Sequence, residues 1–151
     1  GRPIIVLAPT ANWQPKVWPA ERFAATFQGL AASQLPSAVA VVLAGPGPAE
    51  RAMAAPLLAA LPGALDLVGM LSLPEAAAVL RQSALFIGND SGLMHLAAAA
   101  GAPTVGLFGP TDATIYRPAG PRATAVVADS MDAIGVHRVI KAANNLMART
   151  D

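Results

Sequence analysis

Six short apolar runs, at residues 4–8, 39–44, 65–68, 85–87, 104–108 and 124–127, are rich in β-branched side chains, bounded by Gly or Pro, and continuous instead of alternating in polarity. A strand that is apolar at every position has both faces covered, the condition of a parallel sheet held between two helix layers. Helical stretches lie between and after the runs, at 19–35, 49–61, 74–82, 91–100 and 134–148. Strand alternating with helix implies right-handed βαβ crossovers and an α/β fold: a Rossmann-like three-layer αβα sandwich around a doubly wound parallel sheet. The 151 residues suit one domain of this kind, which buries about 70% of its unfolded surface. No internal repeat or long linker divides them.

Local signals sharpen the helices. Pro19 suits a first helical position, Glu21 favours the positive end of the helix dipole, and Phe23, Phe27, Leu30 and Ala31 form one apolar stripe. Pro56 lies inside the second helical stretch and is expected to kink or split it. Gly45-Pro46-Gly47-Pro48 reads as a turn.

Composition excludes several classes of function. Lys and Arg number 10 against 9 for Asp and Glu, a balance that argues against nucleic acid, which calls for a basic patch. With no cysteine there is no disulfide scaffold, thiolate metal site or cysteine nucleophile. The uncharged stretch 23–49 is interrupted by Gln28, Gly29, Ser33, Gln34, Pro36 and Ser37, so it does not read as a membrane span. Charged residues are only 13% of the chain, where soluble domains average about 25%, so an apolar face covered by further protein is expected. The chain enters its first strand directly after Gly1-Arg2-Pro3, without a signal-peptide pattern, and is expected to be a domain of a longer protein.

In open α/β sheets ligands bind beyond the carboxyl ends of the strands, so three loops are candidates. In the first, Gly88-Asn89-Asp90-Ser91-Gly92-Leu93-Met94-His95, Asp90 or Ser91 can cap a helix whose free N–H groups form an anion site. Gly92 lets a ligand approach the backbone, and His95 lies one turn beyond Ser91 on the same face. The plainer reading is an N-cap and a hydrogen-bonded histidine under the sheet. The small-residue run 97–102, followed by the polar loop Phe108-Gly109-Pro110-Thr111-Asp112, favours a site.

In the second loop, Lys16 stands between Pro15 and Pro19 just before a helix, placed to neutralise a phosphate as a point charge or simply solvated. Trp18 reads as a packing anchor for the helix start, and Trp13 is open to either role. In the third loop, Glu50 sits where a ribose-binding acid belongs, or serves as a first-turn helix acid. The GxGxxG dinucleotide spacing is absent, GxSxG fails at Asn89, and no HExxH or DxD metal pattern occurs.

Residues 16–23 (Lys-Val-Trp-Pro-Ala-Glu-Arg-Phe) and 89–111 (from Asn-Asp-Ser-Gly-Leu-Met-His through Gly-Pro-Thr) together resemble the C-terminal domain of the ADP-heptose:lipopolysaccharide heptosyltransferases, glycosyltransferase family 9. The resemblance implies a GT-B enzyme, two Rossmann-like domains facing each other across a cleft, with residues 1–151 as the nucleotide-sugar-binding half. It implies that Thr10 and Lys16 contact the donor phosphates, that Asp90, Ser91 and Gly92 lie at the diphosphate and sugar with His95 close by, and that Met70 or Leu71 lines the adenine pocket. The expected donor is ADP-heptose, with no further cofactor and no metal, and the acceptor is a lipopolysaccharide core. The catalytic base and acceptor site fall to an N-terminal domain, so this chain alone is expected to bind donor without turnover. The implied location is cytoplasmic, with at most peripheral association at the inner face of the inner membrane of a Gram-negative bacterium. Two alternatives are a UDP-N-acetylglucosamine 2-epimerase-like GT-B domain, whose motif also contains Asp-Ser-Gly, and a non-catalytic nucleotide-binding module.

Overall fold

The computed structural model describes residues 1–111, 113–116 and 118–149. Among them, β1 (Ile4–Ala8), β2 (Val39–Ala44), β3 (Leu65–Val68), β4 (Leu85–Asn89), β5 (Thr104–Phe108) and β6 (Ala123–Val127) form a single sheet in the order β3-β2-β1-β4-β5-β6, every neighbouring pair parallel. The expected doubly wound sheet is therefore present. The strand order reverses between β1 and β4, which makes their carboxyl ends the topological switch point.

Helices α1 (Ala20–Ala32), α2 (Pro48–Ala60) and α6 (Val136–Met147) cover one face of the sheet. Helices α3 (Leu73–Arg81), α4 (Gly92–Ala99) and the short α5 (Ala113–Tyr116) follow the crossovers on the other. Successive strand residues enter opposite cores: Ile5 and Leu7 pack with Trp18, Phe23 and Leu57, while Val6 and Ala8 pack with Leu80, Met94 and Ala97. Both cores are built almost wholly of apolar side chains, which is why the central strands read as continuous apolar runs.

The helices lie within three residues of the expected bounds, α2 and α3 each starting one residue earlier and α1 stopping three residues sooner, for visible reasons. α1 stops at residue 32 because the N–H groups of Ser33, Gln34 and Leu35 all converge on the Leu30 carbonyl, with Pro36 beyond. The 45–48 tract divides in two: Gly47 holds φ +108°, a value that favours glycine, and Pro48 opens α2 at its first position. Pro56 does not split α2, which runs unbroken to Ala60. Its missing N–H leaves the Ala52 carbonyl unpaired, and both residues are exposed, so water can take the bond. The 3₁₀ turns Gln14–Lys16 and Met131–Ala133, and α5, carry no periodicity and escape a pattern reading.

α3 begins with a full capping box. The Glu75 N–H donates to Ser72 Oγ at 3.3 Å, and the Ser72 N–H donates to Glu75 Oε1 at 2.9 Å. These bonds hold the Glu75 carboxyl below its ordinary range. On edge strand β3, Arg51 donates to Asp66 Oδ2 and to the Val68 carbonyl, and the hydrogen bond from Arg51 lowers the Asp66 carboxyl in the same way. On the opposite edge, Arg138 donates to the Val127 carbonyl.

Two tests follow from these contacts. Both carboxyls have folded-state values below their unfolded ones, so their contribution to stability is present above the unfolded range and is lost as pH falls through the lowered values. Ser72→Ala should flatten that acid limb in denaturant titrations at a series of pH values. A Cβ on Gly109 would come within 2.6 Å of the Met131 backbone nitrogen, whereas one on Gly63 meets nothing within 4 Å. Gly109→Ala should cost about 1–3 kcal/mol in urea unfolding, and Gly63→Ala roughly 0.5 kcal/mol or less.

Candidate functional site

The loops leaving β1 and β4 diverge at the switch point, because α1 and α4 cover opposite faces of the sheet. Between them, and bordered by the loop after β2, lies a cleft of about 830 Å³. Thr10, Lys16, Glu50, Asp90, Ser91, Gly92 and His95 line it, so seven of the expected site residues converge on one cavity. Met70 and Leu71 are not in its lining. Met70 is 64% exposed on the turn after β3, and the apolar wall on that side is Leu73, the first residue of α3, with Leu93 and Leu96 of α4. The offset arises because the capping box starts α3 at Leu73 and turns that residue, not its predecessors, toward the cleft.

Asp90 is the electrostatic centre. Its residue is only 5% exposed, and its Oδ2 receives both the Lys16 ammonium at 3.5 Å and the Thr111 hydroxyl at 2.8 Å. A carboxylate this buried requires compensation, and the two donors supply it through one oxygen. Lys16 is accordingly an anchored cation, not a freely solvated one. Thr111 is a partner that sequence reasoning left without a role. The only signal for it was its place in a polar loop after an apolar strand. Asp112, beside it, lies outside the described residues.

The start of α4 differs from that of α3. Ser91 occupies the N-cap position, yet its side chain makes no capping bond, and its hydroxyl is buried without a partner. Asp90, the other expected cap, is committed to Lys16 and Thr111 instead. No side chain caps the first-turn N–H groups of Gly92, Leu93 and Met94, and the dipole there favours negative charge. A Cβ on Gly92 meets no atom within 4 Å, so the cleft is open immediately above this turn. An uncapped helix start with one lysine beside it is a site for an anion.

Thr10 and Glu50 act together. The Thr10 hydroxyl donates to Glu50 Oε1 at 2.9 Å, and the Gly45 N–H donates to the same oxygen at 2.9 Å. Thr10, expected as a phosphate contact, thus has its hydroxyl proton committed to Glu50 and offers the cleft only an acceptor. Glu50 fills both readings of its position: it is the third residue of α2, and its second oxygen remains for a ligand hydroxyl. His95 is exposed on the cleft side of α4, not bonded beneath the sheet.

Trp18 is the packing anchor expected of it, fully buried, edge-on to Phe23 at 5.0 Å, with its indole N–H on the Ile134 carbonyl at 2.9 Å. Trp13 is 52% exposed and does not line the cleft. Among the described residues no group of three or more His, Cys, Asp or Glu is placed to hold a metal ion, and no helix is long and apolar enough to cross a membrane.

Residues 1–144 match the family model described as glycosyltransferase family 9 (heptosyltransferase). The chain belongs to glycosyltransferase family 9. Curated relatives of this family 9 chain include lipopolysaccharide heptosyltransferase 3 of Escherichia coli, 32% identical over 78% of the chain, and lipooligosaccharide heptosyltransferase 2 of Haemophilus influenzae, 34% identical over 83%. The chain spans about a third of their length, 34% and 36%. The solved structure of E. coli ADP-heptose lps heptosyltransferase II superposes with a TM-score of 0.84 at 25% identity, over 97% of this chain and 46% of that one. The family match favours the heptosyltransferase reading over the epimerase-like one.

Gly92 separates folding from binding in this family 9 domain. Gly92→Ala places a methyl group in open cleft space while favouring the helix, so thermal unfolding should stay the same or rise. Affinity for a diphosphate ligand, measured by calorimetry, should fall.

Proposed function

We propose that this chain is the donor-binding domain of an enzyme that transfers heptose from ADP-heptose to a lipopolysaccharide core acceptor. The observation that carries the reading is the convergence of the Lys16 ammonium and the uncapped start of α4 on one cleft at the switch point. Heptose transfer is the activity named for the curated relatives, and ADP-heptose is the donor named for the solved neighbour at 25% identity.

In this reading the diphosphate lies against the first-turn N–H groups of Gly92, Leu93 and Met94, with Lys16 as its counter-charge. When the glycosidic bond breaks, negative charge builds on the departing diphosphate. Prepositioned donors and one fixed ammonium then stabilise the transition state more than the ground state. Asp90 faces the sugar, with Ser91 and His95 beside it. The unpaired oxygen of Glu50 takes a ribose hydroxyl, and Thr10 acts by orienting that carboxylate. Leu73, with Leu93 and Leu96, replaces Met70 and Leu71 as the surface for the base.

The catalytic base and acceptor site belong, in the same reading, to an N-terminal domain of the full enzyme facing this cleft. This chain alone therefore binds donor without turnover. The full enzyme works on the cytoplasmic side, peripheral to the inner membrane where its acceptor is presented.

Calorimetric titration with ADP, UDP and NAD at low ionic strength tests the assignment. ADP should bind and UDP should not. UDP preference would return the epimerase-like reading, and silence from all three would mean either that the N-terminal domain completes the site or that this domain is a scaffold. Lys16→Ala should weaken ADP binding by about 1.5–3 kcal/mol, the range for hydrogen bonds to charged groups. A measured transferase rate from this chain alone would overturn the division of labour.

A further inference from the structure

Asn89, the last residue of β4, is fully buried and is not part of the lining of the site cleft. Its Oδ1 accepts the Trp18 backbone N–H at 3.1 Å, a bond between residues 71 apart in the chain. Its Nδ2 is buried with no partner. The next residue, Asp90, turns the other way and takes the Lys16 ammonium. Two consecutive side chains at the end of β4 therefore grip the β1–α1 loop at two points two residues apart, Trp18 through its backbone and Lys16 through its charge.

We propose that Asn89 is a positioning residue for Lys16, setting where the ammonium stands relative to the uncapped start of α4. The Asp90 contact alone is too loose for this. At 3.5 Å it is a single ion pair on a flexible four-carbon stem, and such a stem reaches many positions. What narrows them is the backbone from which the stem departs. That backbone is fixed at Trp18 by the Asn89 bond and by the indole's contacts with Phe23 and Ile134.

The unpartnered Nδ2 supports a functional reason for the asparagine. A buried donor left unpaired costs stability, so packing alone would favour an apolar side chain here. The acceptor end supplies the reason to keep it. An aspartate would offer the same acceptor, but would place a second buried negative charge next to Asp90.

The test uses the fact that the chain has only two lysines, Lys16 and the exposed Lys141. Lysine acylation is followed by mass spectrometry well below the unfolding temperature, with Lys141 as the internal reference. Asn89→Leu, close in volume but without the acceptor, should raise the Lys16:Lys141 ratio toward that of Asp90→Asn, which releases the ammonium directly. Asn89→Ala is the second variant if leucine is not accommodated. A ratio equal to that of the unsubstituted chain, in a folded variant, overturns the proposal.

The binding half of the inference rests on the donor-binding reading, and a double-mutant cycle in ADP affinity addresses it. Asn89→Leu should raise the Kd about tenfold in the presence of Lys16, within the coupling range for side chains of one network, and should have little further effect after Lys16→Ala. Equal losses in both backgrounds would mark Asn89 as packing only. If the unsubstituted chain binds no ADP, the donor-binding reading fails, while the acylation ratio still decides whether Asn89 positions Lys16.

Discussion

Because β1 and β4 lie side by side and parallel, while the helices that follow them cover opposite faces of the sheet, the two loops leaving their carboxyl ends have to part. The cleft is the space this parting leaves. Residues 16 and 90 become neighbours only through that pairing, with Ala8 in register beside Gly88. Slipping the register by one residue would exchange the two sets of inward side chains and turn Asn89 and Asp90 to the wrong faces. The apolar packing on both faces of the central strands opposes that slip, so these strands secure the polar site.

The polar groups in the cleft are economical in number and shared in use. One oxygen of Asp90 serves both Lys16 and Thr111, and one oxygen of Glu50 serves both Thr10 and Gly45. Each carboxylate is thereby joined to at least two loops while its other oxygen stays unassigned. In a partly enclosed site this matters, since charges there are less screened than at the surface and a misplaced one is costly. The helix starts show the same division. α3 closes its own first turn with Ser72 and Glu75, while Ser91 leaves that of α4 without a cap.

The sheet was legible in the sequence because continuous apolar runs report burial on both faces, a property fixed over several residues at once. The Asp90 loop and Lys16 were legible because polar residues after such runs stand at strand ends. What could not be read were choices made by single hydrogen bonds across long separations. Nothing local says that Thr10 gives its proton to Glu50, that Ser91 declines to cap, or that Asn89 reaches Trp18. Of the two outcomes expected at Pro56, the split does not occur, since α2 continues through it with Ala52 and Pro56 both exposed. Met70 and Leu71 were carried over by likeness of position, whereas the residue of that region that lines the cleft is Leu73, just past the capping Ser72.

An open parallel sheet, unlike a barrel, ends in two strands whose outer backbone groups have no neighbour. Here both of those strands meet arginines from adjacent helices: Arg51 reaches the Val68 carbonyl on β3, and Arg138 reaches the Val127 carbonyl on β6. Guanidinium groups cannot be extended as a strand and carry charge to the rim. An incoming chain would have to displace a charged donor before it could add itself to the sheet. With so few charges to distribute, the placement of two of them at the margins sets a charged barrier where an unusually apolar domain is most open to templated self-association.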